Sequence, residues 1–223
     1  MHFPVNSDLI AHARDVLSCR KRLFWIVGGA GSGKTTICSI LSERYAFPVY
    51  NMDAHIYGSY HSRFTPERHP VNTAWTTSEN RLAWLLSMSW DEFNSFNQSA
   101  LAEYLDLLAE DLAGTRPGSP LLIDGGISNP AIIAQVIPIR HIVCLSAPLD
   151  VNVWESAARQ PMKETIYQLP NPEEAWLKFL DFDKQITRTI EIESQDNNIS
   201  ICLMNSNTSP EALAGEAARK IGL

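Results

Sequence analysis

No stretch of this 223-residue chain is apolar for long enough to span a bilayer. The start, Met1-His2-Phe3-Pro4-Val5-Asn6, lacks the charged-then-apolar pattern of a secretion signal. The expectation is a cytoplasmic protein that makes no membrane contact. Positive charge is also short: 18 Lys and Arg face 25 Asp and Glu, for a net charge of −7. That balance argues against gripping long nucleic acids through their phosphates, while leaving room for a local basic site. The four cysteines, Cys19, Cys38, Cys144 and Cys202, include no pair at metal or redox spacing and read as reduced thiols. Internal repeats and low-complexity segments are absent. A hydrophobic content of 45 % is ample for a packed core, in one domain or one domain with an insertion.

What is present is a glycine-rich loop. Residues 28–36 read Gly28-Gly29-Ala30-Gly31-Ser32-Gly33-Lys34-Thr35-Thr36, a full match to G-x-x-x-x-G-K-[ST]. The apolar run Leu23-Phe24-Trp25-Ile26-Val27 precedes it with strand character. Ile37, Ile40 and Leu41 follow it at helical spacing. Strand, glycine loop and helix together turn backbone N–H groups toward phosphate oxygens, and the helix N-terminus adds a positive dipole end. Lys34 is expected to reach the β- and γ-phosphates, and the Thr35 hydroxyl to ligate Mg²⁺. Thr36 would bond a phosphate nearer the nucleoside.

Further elements alternate along the chain. Helices are predicted over 7–20 and 35–44, with a strand over 47–52 closed by Asp53. Residues 54–77 are irregular. A short helix or turn covers 78–87, and a longer helix opens at Ser89 with a capping box to Glu92 and breaks at 114–120. Leu121-Leu122-Ile123-Asp124-Gly125-Gly126 reads as a third strand and its exit loop. Asn129-Pro130 opens a helix to Val136, 141–145 is a fourth strand, and 150–159 is helical. Asn171-Pro172-Glu173-Glu174 gives cap, first-turn proline and capping-box glutamate for a helix to about Ser194. A fifth strand over 199–204 and a helix from Ser209-Pro210-Glu211 complete the chain. Alternating strands and helices imply an α/β fold whose parallel sheet is covered on both faces. The loop, Asp53, Asp124, Ser146 and Asn205 then fall at strand exits on one sheet edge, where such sheets bind ligands.

In this order the chain resembles the P-loop small-molecule kinases, the adenylate, shikimate, gluconate and nucleoside kinase group. Four features carry the likeness: residues 28–36, Asp53 after the second strand, Ile123-Asp124-Gly125-Gly126, and Asn205-Ser206-Asn207-Thr208-Ser209-Pro210-Glu211. Only the first is a specific motif; the others match by position. The resemblance implies a three-layer P-loop NTPase fold over 1–223, with a five-stranded parallel sheet flanked by helices. A loop-plus-helical insertion over 54–118, after the second strand, would build the acceptor site. A lid over 159–170 would bring Arg159 over the phosphates. ATP and Mg²⁺ are the implied cofactors. Asn205 and Asn207 would lie by the adenine, and Gly125 and Gly126 by the acceptor. The chain has no Asn-Lys-x-Asp for guanine and no Leu-Ser-Gly-Gly signature of transporter ATPases.

Phosphoryl transfer needs an acid beside the acceptor hydroxyl. Asp53 is the first choice to orient or deprotonate it, with Asp124 holding Mg²⁺ through water; the reverse assignment stays open. The segment 57–69, with His55 just before it, concentrates Arg63, Arg68, His61 and His69 among aromatic residues. Arg63 and Arg68 would suit a carboxylate or phosphate on the acceptor, or else lie as polar loop residues. Trp75, Trp84 and Trp90 would pack the insertion onto the sheet, with Glu79 and Arg81 as weaker substrate contacts. The expected activity is transfer to a hydroxyl or phosphate of a small metabolite, nucleoside or nucleotide. The alternatives are a nucleotide-dependent switch without a small-molecule acceptor and a plain ATPase. Acceptor identity, base preference and oligomeric state are not encoded legibly.

Overall fold

A computed structural model describes residues 2–126, 128–148, 153, 154, 156, 159–205 and 207–223. Five strands form one sheet: β1 (Leu23–Gly28), β2 (Val49–Asn51), β3 (Leu121–Asp124), β4 (Ile142–Ser146) and β5 (Ser200–Leu203). Their order is β2-β3-β1-β4-β5, and every pairing is parallel. β1 is central and wholly buried, which explains its unbroken apolar sequence. β2 is shorter than predicted and lies at the sheet edge; Pro48, just before it, has no N–H to donate but accepts from Leu122 N at 3.0 Å.

The period-2 alternation of β1 sorts the core into two layers. Trp25 and Val27 face a cluster built with α1 (Ser7–Leu17), α6 (Trp90–Ala113) and α9 (Pro172–Asp196). Phe24 and Ile26 face the opposite cluster, built with α2 (Lys34–Tyr45) and α10 (Pro210–Ile221). Helices thus cover both faces of the sheet.

The segment between β2 and β3 is mainly helical. It holds the single turn α3 (Met52–Ala54), a π turn over His55–Ser59, then α4 (Pro70–Thr77), α5 (Arg81–Leu86) and α6. The capping box expected at Ser89 is formed: Glu92 N donates to Ser89 Oγ at 3.3 Å and Ser89 N to Glu92 Oε2 at 2.9 Å. α7 (Pro130–Ile133) is shorter than expected, while α8 (Gln160–Ile166) falls in the segment expected to form the lid. The helix expected over 150–159 lies largely outside the described residues. At α9 the start is where the sequence puts it, but the cap differs. Asn171 is left-handed (φ 52°) and its side chain caps nothing, so Pro172 and backbone geometry begin the helix. Among the described residues no helix is long and apolar enough to cross a membrane.

Candidate functional site

The parallel register brings the expected residues to one edge of the sheet. Gly28 lies opposite Leu145, Asp124 opposite both Ile26 and Asn51, and Ser146 opposite Leu203. From Gly28 the chain turns through Gly29-Ala30-Gly31-Ser32-Gly33 into α2, whose first residue is Lys34. Thr35 and Thr36 stand exposed in the first turn of α2. Gly29 is a point of close approach: a Cβ there would lie 2.3 Å from Thr187 Oγ1, so α9 packs directly on the loop.

Lys34 is the electrostatic centre. Its Nζ donates to Gly28 O at 2.8 Å and Gly29 O at 2.9 Å, curling back on its own loop. Burial holds its pKa below the ordinary lysine value, against the fields of Asp53, Asp124 and Asp183; the Arg159 guanidinium adds to the lowering. Asp53 lies in α3, one residue into the turn that ends β2, and accepts from Gly126 N–H. Burial raises its carboxyl above the usual range even though Lys34 pulls the other way. Burial also raises Asp183, which accepts from Trp154 Nε1 at 2.7 Å. Two polar atoms in this region are buried without a partner among the described residues: Ser32 Oγ and Asp124 Oδ1.

The exit loop of β3 forms the floor beside Asp53. Trp25 Nε1 donates to Gly125 O at 3.1 Å. Gly126 is left-handed (φ 76°), and a Cβ there would sit 2.2 Å from Met52 Cγ. Gly126→Ala therefore forces both a strained backbone and an overlap, and we expect a loss of roughly 1–3 kcal/mol in urea unfolding. A change within 0.3 kcal/mol would show that the loop is free to move away.

Lys34 and Asp53 open on a cavity of 570 Å³, also lined by Gly28, Gly29, Ala30, Gly126, Arg159 and Asp183. The rest of its lining is largely apolar and rich in rings from the insertion and from α9, among them Trp75, Phe93, Phe96, Tyr104, Phe179 and Phe182. Arg159, just before α8, stacks on Trp154 with its guanidinium carbon 4.8 Å from the ring centroid. Trp154 meets Phe179 edge-on at 4.6 Å, and Phe179 stacks on Trp176. A small core of Trp154, Ile166 and Trp176, with Ala30 and Leu82 packed on it, thus joins α8, α9, α5 and the glycine loop.

Not every sequence candidate reaches this place. Arg63 donates to Asp111 Oδ1 at 2.6 Å and Glu110 Oε2 at 3.1 Å. Arg68 forks onto Asp106, Nε to Oδ2 and Nη2 to Oδ1, each at 2.7 Å. Both arginines are thus held by α6 and line no part of the cavity. Asn205 and Asn207 follow β5 and bond each other, Asn207 N to Asn205 Oδ1 at 3.0 Å, apart from this cavity; Ser206 is outside the described residues. Gly125 meets Asp53, which a Cβ would approach to 2.9 Å.

Residues missed by sequence reasoning are Asp183, Trp154, Thr187 and Asn97. Asp183 had a legible signal. On α9 it falls in the stripe of Trp176, Phe179, Ile186 and Ile190, an acid where helical spacing calls for an apolar residue. Arg81 and Tyr57 line the cavity.

No family model matches the chain. No curated protein matches it. Among solved structures, the crystal structure of TT1252 from Thermus thermophilus aligns over 89 % of this chain and 94 % of that chain, at 19 % identity and a TM-score of 0.46.

Proposed function

We propose that the chain is a P-loop kinase that transfers a phosphoryl group from ATP to a hydroxyl of a small acceptor. One observation carries this reading. A half-buried lysine that, among the described residues, bonds only the carbonyls of its own glycine loop lines a cavity together with Asp53 and Arg159. A cation so placed suits an entering polyphosphate, which would exchange two neutral acceptors for charged ones. The sheet order, with the glycine loop following the central strand, supports the same assignment.

The residues fit the nucleotide and its metal. Ser32 Oγ and Asp124 Oδ1 are buried without a partner among the described residues, as expected of groups that await a ligand or an ordered water. Thr35 and Asp124 would hold Mg²⁺. An ion of this kind draws most of its ligands from phosphates and water, so two protein ligands suffice. Bound there, Mg²⁺ would neutralise charge on the phosphate oxygens.

The chain's own groups supply the remainder. Lys34 and Arg159 bear positive charge toward the transferring group. Asp53 lines the cavity whereas Asp124 does not, so Asp53 is the better base. It takes the proton of the acceptor hydroxyl as that oxygen bonds the γ-phosphorus. The bond from this phosphorus to the β,γ-bridging oxygen breaks, and its electron pair leaves with ADP. The ring-lined wall would limit the water around the transfer.

Asp53→Asn tests the assignment. We expect kcat to fall by about 10²–10⁴-fold, with the KM for ATP little changed. In the wild type, the acid limb of kcat/KM should sit above the ordinary carboxylate range, because burial raises Asp53. Activity is then present above that raised value and lost as pH falls through it. A variant with normal kcat and a raised acceptor KM would make Asp53 a binding group and return the base role to Asp124.

A further inference from the structure

Resting on the kinase reading, we infer that the acceptor is an alcohol with a flat, apolar body and an oxyanion at the end remote from its hydroxyl, and that Arg81 takes that oxyanion. The substrate class follows from how the cavity is furnished. Next to Lys34 it is polar, with Asp53, Asp183 and Arg159. Away from it the wall is leucine, isoleucine and aromatic rings, several of them in mutual edge contact: Trp75 with Phe96 at 6.4 Å and with Tyr57 at 6.1 Å. Such a wall offers a sugar or polyol almost nothing to replace the water bonds of its hydroxyls, and each lost bond is costly. A ring or hydrocarbon body gains by burial and by ring-edge contact.

Beyond Lys34, Asp53, Asp183 and Arg159, the polar groups of the lining include several that can donate. Trp75 Nε1 and Asn97 Nδ2 are buried donors without a partner among the described residues, and both residues line the cavity. Arg81 adds a charge. It differs from Arg63 and Arg68, whose guanidinium groups are already matched by carboxylates of α6. Among the described residues Arg81 has no carboxylate partner. Its Nη1 donates to His61 Nδ1 at 2.9 Å. Burial and the neighbouring guanidinium hold His61 below its ordinary value, so that ring is neutral and accepts. Arg81 thus lines the cavity from an exposed position with no carboxylate partner among the described residues, and its remaining N–H groups match a carboxylate or phosphate. In this inference Asp53 takes the proton while Arg81, Trp75 and Asn97 supply hydrogen bonds, so the ligand's hydroxyl points to Asp53 and its oxyanion to Arg81.

Four probes decide this by calorimetry on the protein alone: 4-(2-hydroxyethyl)benzoate, 4-(2-hydroxyethyl)phenyl phosphate, uncharged 2-phenylethanol and gluconate. We expect one of the two aromatic anions to bind about 10–100-fold tighter than both controls, the range for a charged hydrogen-bonded pair. Which anion wins separates carboxylate from phosphate. Arg81→Gln should bring the winner to within about threefold of 2-phenylethanol while leaving 2-phenylethanol itself unchanged. Arg81 is exposed on a short helix, so the variant should fold, and circular dichroism checks that. Equal or tighter binding of gluconate or 2-phenylethanol, full affinity in Arg81→Gln, or no binding of any probe would each overturn the inference. ADP release from Mg·ATP with the winning probe tests the kinase reading separately. Binding without acceptor-stimulated release sinks that reading and keeps the ligand class; release stimulated by gluconate alone does the reverse.

Discussion

Lys34→Ala should lower nucleotide-dependent turnover by about 10²–10³-fold or more, the loss typical of removing one preorganised charge from a transition state. The fold should survive. Lys34 is held by two carbonyls of its own loop and by no direct ion pair among the described residues, and burial disfavours its charge. We therefore expect its Tm to stay within about 3 °C of wild type, the shift that about 1 kcal/mol gives a chain of this size. Activity lost with Tm retained marks the lysine as kept for chemistry. A collapse in Tm together with proportionate loss of activity would mean that Lys34 merely holds the loop together. Turnover assays and scanning calorimetry on the same preparation separate the two.

The largest expected effect on stability lies elsewhere, at Asp106 on α6. Its carboxylate is fully buried and receives Arg68 through two nitrogens at 2.7 Å, His69 at 3.0 Å and His12 at 2.6 Å. Burial alone would raise this carboxyl; the bonds from His69, Arg68 and His12 outweigh it and hold the group well below the usual range. Asp106→Ala strands a buried imidazole and a guanidinium. It should cost about 3–5 kcal/mol, or on the order of 10 °C in Tm. Because the folded carboxyl is depressed, its contribution is whole above the unfolded carboxyl value near ~4 and is lost as pH falls below that. Asp106→Ala should therefore flatten the acid limb of the stability curve. Arg68→Gln should lower Tm but leave the acceptor KM alone. A raised acceptor KM with unaltered Tm would return Arg68 to the substrate.

These two residues also show what the sequence could and could not say. The glycine loop is legible because it is local: nine consecutive residues fix a turn, a helix start and the place of one lysine. The α/β alternation is legible for the same reason, since each strand and helix carries its own period. The parallel register then sets Asp53 and Asp124 on the edge that holds the loop. The role of an arginine is not local. Arg63 and Arg68 stand in a segment that looks like a binding loop, yet their partners lie roughly forty residues on, in α6. Glu103 and Asp106 are buried on α6 among leucines and alanines, with Asp111 partly buried beyond them, and acids so placed must find donors. Read together, those acids announce that cations nearby will be consumed. Arg81 has no such acid among the described residues, which the sequence does not show. Asp183 was hidden differently: it comes from a helix on the far side of β4 in sequence, and only packing of α9 on Gly29 brings it to Lys34.

The central claim is transfer of phosphate to an organic acceptor, and ³¹P NMR of the wild-type protein with Mg·ATP tests it most directly. The sample should hold a mixture of hydroxylated aromatic acids, nucleosides and polyols. The account predicts a new phosphomonoester resonance that grows with ADP, outpaces inorganic phosphate, and is absent with Lys34→Ala and Asp53→Asn. ATP that stays intact, or that yields inorganic phosphate alone at a rate indifferent to every acceptor, would contradict it.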